Sequence, residues 1–138
     1  MSYLLDTDMC IYWLNGRQSV KDKLLAAGWE QIAISVITQA ELYYGAYNSS
    51  QVTENLKRAD DFIKQLPIFP LREATLKRFG ALKAQLRQSG QPLPDFDLLI
   101  ASVALVENHI LVTNNTRHYQ RIPDLQFENW ASDGDYNP

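Results

Sequence analysis

Tyr3-Leu4-Leu5-Asp6-Thr7, residues 3–7, is an apolar run of strand length that reaches a carboxylate, and Thr7 and Asp8 follow it as a helix start would. In an open α/β sheet, ligands bind where strands reach their carboxyl ends. Asp6 is therefore the first candidate functional residue, set against the plainer reading in which it caps a helix or closes a turn.

The same strand-to-helix change recurs further along. Met9 to Leu14 reads as a short helix stopped at Asn15-Gly16, and Ser19 to Ala27 as a second one ending at Gly28. Gln31 to Ile34 reads as a strand, and Ser35 as the cap of a helix over Val36 to Tyr44 with Gly45 near its end. A charged amphipathic helix follows from Val52 to Gln65, directing Leu56, Phe62, Ile63 and Leu66 inward. Ile68-Phe69, bracketed by Pro67 and Pro70, makes a brief strand. Arg72 to Ser89 carries Leu76, Phe79, Leu82 and Leu86 at helical spacing, with Lys77, Arg78, Lys83 and Arg87 outside that stripe. This basic face reads as solvated, since no aromatic stacking pattern accompanies it. A strongly apolar helix from Asp95 to Val106 precedes a strand at His109 to Val112, a helical turn at Arg117 to Gln120 and an edge strand at Leu125 to Phe127. The expectation is an α/β fold of three layers, with a mostly parallel sheet of four to five short strands flanked by helices.

At 138 residues, 46% hydrophobic and 21% charged, the chain suits one domain, expected over 1–130. Residues 131–138 lack apolar periodicity and are expected to be a flexible tail. The sequence has no internal repeat. One cysteine, Cys10, gives no internal disulfide framework, and with only His109 and His118 beside it the usual four-ligand Cys/His zinc site is out of reach. Asp6 and Asp8 interrupt the apolar start, and neither a signal peptide nor a membrane span is read. Cytoplasmic localisation is the expectation. A net charge of −3 argues against a general basic surface for nucleic acid, although acids gathered around divalent cations would present a different face to phosphate.

Two further acids stand where apolar residues belong. Glu41 lies four after Ile37 and three before Tyr44, and Asp97 heads the stripe of Ile100, Ala101 and Ala104. Each has a plain alternative: Glu41 as an edge residue or an ion-pair partner, Asp97 as a first-turn acid favoured by the helix dipole beside Asp95 as cap. Parallel βα units bring Asp6, Glu41 and Asp97 to one rim, where like charges repel. One or two hard divalent cations are the simplest compensation, and all-oxygen ligation favours Mg²⁺ or Mn²⁺. Asn115 and Thr113, after the last long strand, can add neutral oxygens or simply make a turn. Asp8 and Asp95 are candidates for an outer shell. His118 reads as a surface residue rather than a general base.

In order along the chain, Tyr3-Leu4-Leu5-Asp6-Thr7-Asp8, Ser35 to Leu42, Leu93 to Ala101 and Leu111 to Arg117 resemble the motifs of a PIN domain, and more narrowly of the VapC-type toxins of bacterial toxin–antitoxin pairs. The resemblance runs through Trp130. It implies a metal-dependent endoribonuclease with Asp6, Glu41 and Asp97 as acidic core, structured RNA such as tRNA as substrate, a VapB-like antitoxin covering the acidic pocket, and a homodimer. The chain departs from the pattern at Asn115, where many PIN domains have a further acid, and at His118, where some related toxins have one instead.

Two rival readings accompany it. Asp6-Thr7-Asp8 mimics the nucleophile and acid/base pair of a haloacid-dehalogenase-like phosphohydrolase, a reading that leaves Glu41 without a role. A PIN-like module that binds RNA or antitoxin without turnover is the non-enzymatic alternative.

Overall fold

The computed structural model describes residues 2–131. Five strands, β1 (Tyr3–Leu5), β2 (Ile32–Ser35), β3 (Ile68–Phe69), β4 (Ile110–Val112) and β5 (Phe127–Glu128), form one sheet in the order β3-β2-β1-β4-β5. Every pairing is parallel. The helices are α1 (Thr7–Leu14), α2 (Gln18–Ala27), α3 (Val36–Tyr47), α4 (Val52–Ile63), α5 (Glu73–Gln88), α6 (Asp95–Val106) and α7 (Thr116–Tyr119), with a 3₁₀ turn at Trp29–Gln31. None is long and apolar enough to cross a membrane among the described residues.

Alternation along the strands divides the interior into two cores. Leu5, Ile32, Ile34 and Val112 face Met9, Leu24, Leu42 and Phe62 from α1 to α4. Leu4, Ala33 and Leu111 face Leu82, Leu86, Leu98 and Ala101 from α5 and α6. Apolar residues on successive strand positions therefore serve both faces, which is why the strands read as continuous runs. The sheet is the middle of three layers. Its order reverses about β1, and the crevice between the carboxyl ends of β1 and β4 is the switch point at which such sheets hold ligands.

Several boundaries differ from the sequence reading. Helix α3 continues through Gly45 to Tyr47, because Leu42 and Ala46, one turn apart, are both buried and packing outweighs the glycine. Leu76 is 48% exposed; the inward stripe of α5 is instead Thr75, Phe79, Leu82 and Leu86. The second strand begins at Ile32, after the 3₁₀ turn, and the last at Phe127. Ala131, assigned to the tail, is fully buried and its carbonyl accepts a hydrogen bond from Arg17 Nη2 at 2.6 Å. Residues 132–138 of that expected tail lie outside the described residues.

Candidate active site

Asp6 leaves β1 at the centre of the sheet. Its N–H donates to the Val112 carbonyl at 3.0 Å, so the β1–β4 ladder carries it to the mouth of the crevice. Its side chain caps α1, with Oδ1 accepting from Met9 N at 2.9 Å. The helix consequently begins at Thr7, two residues before the sequence reading placed it. Asp6 is 6% exposed. Burial pushes its carboxyl up to about 7, the Thr113 hydroxyl and the Met9 N–H draw it back, and Asp8 and Asp97 raise it again. The plainer reading of Asp6, a helix cap, is thus part of what the side chain does.

Glu41 stands on the second turn of α3, half-buried. Ser35 starts that helix as expected, its Oγ accepting from Thr38 N at 3.2 Å. The Thr7 hydroxyl lies 2.6 Å from Glu41 Oε1 and 3.2 Å from the buried Thr38 hydroxyl. Having one proton, Thr7 gives it to the nearer carboxylate and receives that of Thr38. Glu41 is held by a two-hydroxyl relay spanning α1 and α3. Neither threonine was singled out from sequence. Thr38 sits three before Glu41 on one helix face, which is a readable signal; the approach of Thr7 is purely tertiary.

Asp97 lies in the first turn of α6, its side chain 30% exposed, and burial raises its pKa while His118 lowers it. His118 Nδ1 is 3.7 Å from Asp97 Oδ2 and 2.7 Å from Asn115 Nδ2. His118 therefore belongs to the rim of the site, contrary to its reading as a plain surface residue; its place three after Asn115 on α7 brings the two together. Thr113, buried at the end of β4, accepts from Asn115 N at 2.9 Å. Tyr119 is buried behind them, its hydroxyl 3.4 Å from the Asp97 carbonyl. Burial, then Asp97, Asp6, Asp8 and Glu41 in turn, hold that phenol protonated.

Asp8 occupies the exposed first turn of α1. Asp95 departs from expectation. Pro94 is the residue at the N-cap position of α6, and the exposed Asp95 carboxylate pairs with Lys83 Nζ on α5 at 2.9 Å, away from an outer shell.

Among the described residues, no three His, Cys, Asp or Glu side chains lie close enough together to hold a metal ion as they stand. Each acid instead engages a protein partner: Asp6 the Met9 amide, Glu41 the Thr7 hydroxyl, Asp97 the His118 ring. The donor chemistry nonetheless suits a hard divalent cation. The buried Asp6 carboxyl accepts from the Met9 amide and has no lysine or arginine in ion-pair reach among the described residues, and the acids offer only oxygen.

The PIN domain family matches residues 3–125. The chain is 41% identical over 132 residues to a protein of Rickettsia felis named ribonuclease VapC2, covering 94% of this chain and 98% of the relative. It is 30% identical over 131 residues to a Shigella flexneri protein named tRNA(fMet)-specific endonuclease VapC, covering 95% and 99%. The solved VapBC2 complex of Rickettsia felis, bound to a promoter DNA fragment, superposes with a TM-score of 0.87 at 38% identity, covering 94% of this chain and 99% of that one. These matches set aside the dehalogenase-like reading of Asp6 and Asp8. A parallel sheet with Asp6 at the β1–β4 crevice, and this likeness along nearly the whole length, make the chain a member of the PIN-domain family, in its VapC ribonuclease branch.

Proposed function

We propose that this chain is a divalent-metal-dependent endoribonuclease, the toxin of a toxin–antitoxin pair, cutting structured RNA such as tRNA in the cytoplasm. The observation that carries the reading is Asp6: a buried carboxylate at the switch point of the sheet, with no lysine or arginine in ion-pair reach among the described residues. Asp6 and Asp97 supply oxygens for Mg²⁺ or Mn²⁺, with Glu41 beside them. The bound cation supplies Lewis acidity at the scissile phosphate. Glu41, with Oε1 held by Thr7, keeps Oε2 to take a proton from the attacking water. Attack at phosphorus breaks the bond to the 3′-oxygen, which takes a proton from solvent as it leaves, giving 5′-phosphate and 3′-hydroxyl ends without a protein nucleophile.

The tRNA assignment draws support from the name of the Shigella flexneri relative, and a VapB-like antitoxin from the VapBC2 complex. A groove between α1, α3 and α4, lined by Ile11, Leu14, Leu42, Ala46 and Arg58, has Glu41 on its border. An antitoxin segment seated there reaches the acidic rim. A homodimer accompanies the assignment. The test is sequencing of RNA ends after induction, wild type against Asp6→Asn. The expected result is a set of new 5′-phosphate ends absent from the variant; equal profiles, or 2′,3′-cyclic phosphate formed in chelator, sink the proposal.

A further inference from the structure

The basic face of α5 is divided by the way α5 meets α6. The two helices run antiparallel: Arg72, just before α5, pairs with Glu107, just past α6, at 2.9 Å, and Lys83, in the second half of α5, pairs with Asp95, the first residue of α6, at 2.9 Å. Lys77 and Arg78 therefore lie toward the end remote from Asp97, whereas Lys83 and Arg87 lie at the end where Asp97 stands. Being four apart, Lys83 and Arg87 project side by side, and both line a cavity with Pro92 and with Leu98, the neighbour of Asp97. Arg121 joins them, its Nη1 donating to the Pro92 carbonyl at 3.2 Å. Of these three cations only Lys83 has an ion-pair partner among the described residues. The aromatic surface that the sequence of this face lacks is supplied by α6, where Phe96, between Asp95 and Asp97, is 51% exposed. Cations beside an exposed ring are what unpaired nucleic acid binds, with phosphates on the charges and a base on the ring. A phosphodiester nearing Asp6, Glu41 and Asp97 is repelled by those acids, so its anchorage has to come from outside the rim.

We infer that RNA reaches the acidic rim over the α5–α6 connection, with Lys83, Arg87 and Arg121 taking backbone phosphates and Phe96 stacking on an unpaired base next to the bond that is cut. Both members of the Lys83–Asp95 pair are half-exposed, so a phosphate replaces the carboxylate at little cost. The inference rests on the RNA-cutting activity proposed above, and its test separates the two. Binding of fluorescein-labelled bulk tRNA is followed by anisotropy in chelator, which withholds the cation, over a series of KCl concentrations. For Lys83→Gln and Arg87→Gln, the plot of log affinity against log salt should be shallower than that of the wild type by about 0.7–0.9 each. Lys77→Gln, toward the remote end of α5, should leave the slope unchanged, and Asp95→Asn should bind more tightly. Phe96→Ala should bind ~5–100-fold more weakly at an unchanged slope, with the thermal melt and the mass by light scattering of the wild type. Wild-type slopes in both Lys83→Gln and Arg87→Gln, an equal loss in Lys77→Gln, or full affinity in Phe96→Ala overturns the inference, and so does a wild type that binds no tRNA in chelator yet cuts it with Mn²⁺. A wild type that neither binds nor cuts overturns the activity as well.

Discussion

Asp6 caps α1 from a buried position, and that burial makes its charge measurable as stability. Its carboxyl, near 3.8 when unfolded, is pushed up to about 7 in the fold. Below the lower value both states are protonated and nothing is gained or lost. Between them the folded state holds the proton that the unfolded state has released, so stability falls as pH rises, and above about 7 the penalty is complete. Three units correspond to ~4 kcal/mol. In chelator, the melting temperature of the wild type should therefore drop relative to Asp6→Asn as pH climbs from 4 to 8, and added Mn²⁺ should restore it at the upper end. A flat difference across that range overturns the account. Asparagine keeps an oxygen for the Met9 amide, so the variant tests charge and leaves the cap in place. On the role proposed for Glu41, Thr7, whose hydroxyl donates to Glu41 Oε1, is a positioning residue. Thr7→Val should lower kcat by ~10–100-fold, the range for removing a supporting partner, while KM for RNA stays near its original value. A rise in KM alone would place Thr7 in substrate binding instead.

At the scale of elements, capping links sequence to site most directly. Ser35→Ala removes the acceptor for Thr38 N and should cost about 1 kcal/mol in urea unfolding. It also loosens the turn that carries Thr38 toward Thr7 and Glu41, so kcat should fall with it. Strand-to-helix units are legible because apolar runs, a cap and helical spacing occur together at Leu4 to Leu14 and at Ile32 to Leu42. Glu41 and Asp97 stand out by helical spacing, as charges on apolar faces, and Asp6 by its place at the end of a strand. What stayed hidden depends on contacts between distant segments. Thr7 meets a residue 34 positions away, and Asp95 turns to Lys83 on a neighbouring helix. Gly45 punctuates a sequence but not a helix already fastened by Leu42 and Ala46. His118 looked ordinary because its neighbours Arg117 and Tyr119 do; only the fold shows Tyr119 buried and the ring turned to Asp97.

The molecule as a whole is a thin sheet between two cores, with β1 at its centre. Leu4 and Leu5 are neighbours in sequence but belong to opposite cores, and both are fully buried. Leu4→Ala and Leu5→Ala should each cost ~2–5 kcal/mol, measured as a lower urea midpoint with an unchanged slope. A much smaller loss in one would mean that its layer collapses onto the gap. The wholly parallel order has a further effect, on timing. β1 is made first, yet the partner on one of its sides, β4, spans residues 110–112, and Asp6 is fastened to Val112 and set beside Thr113. Asp97, His118 and Tyr119 also arrive late. Long-range parallel pairing cannot form before both partners exist. A ribosome translating this message therefore carries an unarmed nuclease for most of the elongation cycle, and fragments released by premature termination before β4 lack the scaffold that assembles the acids.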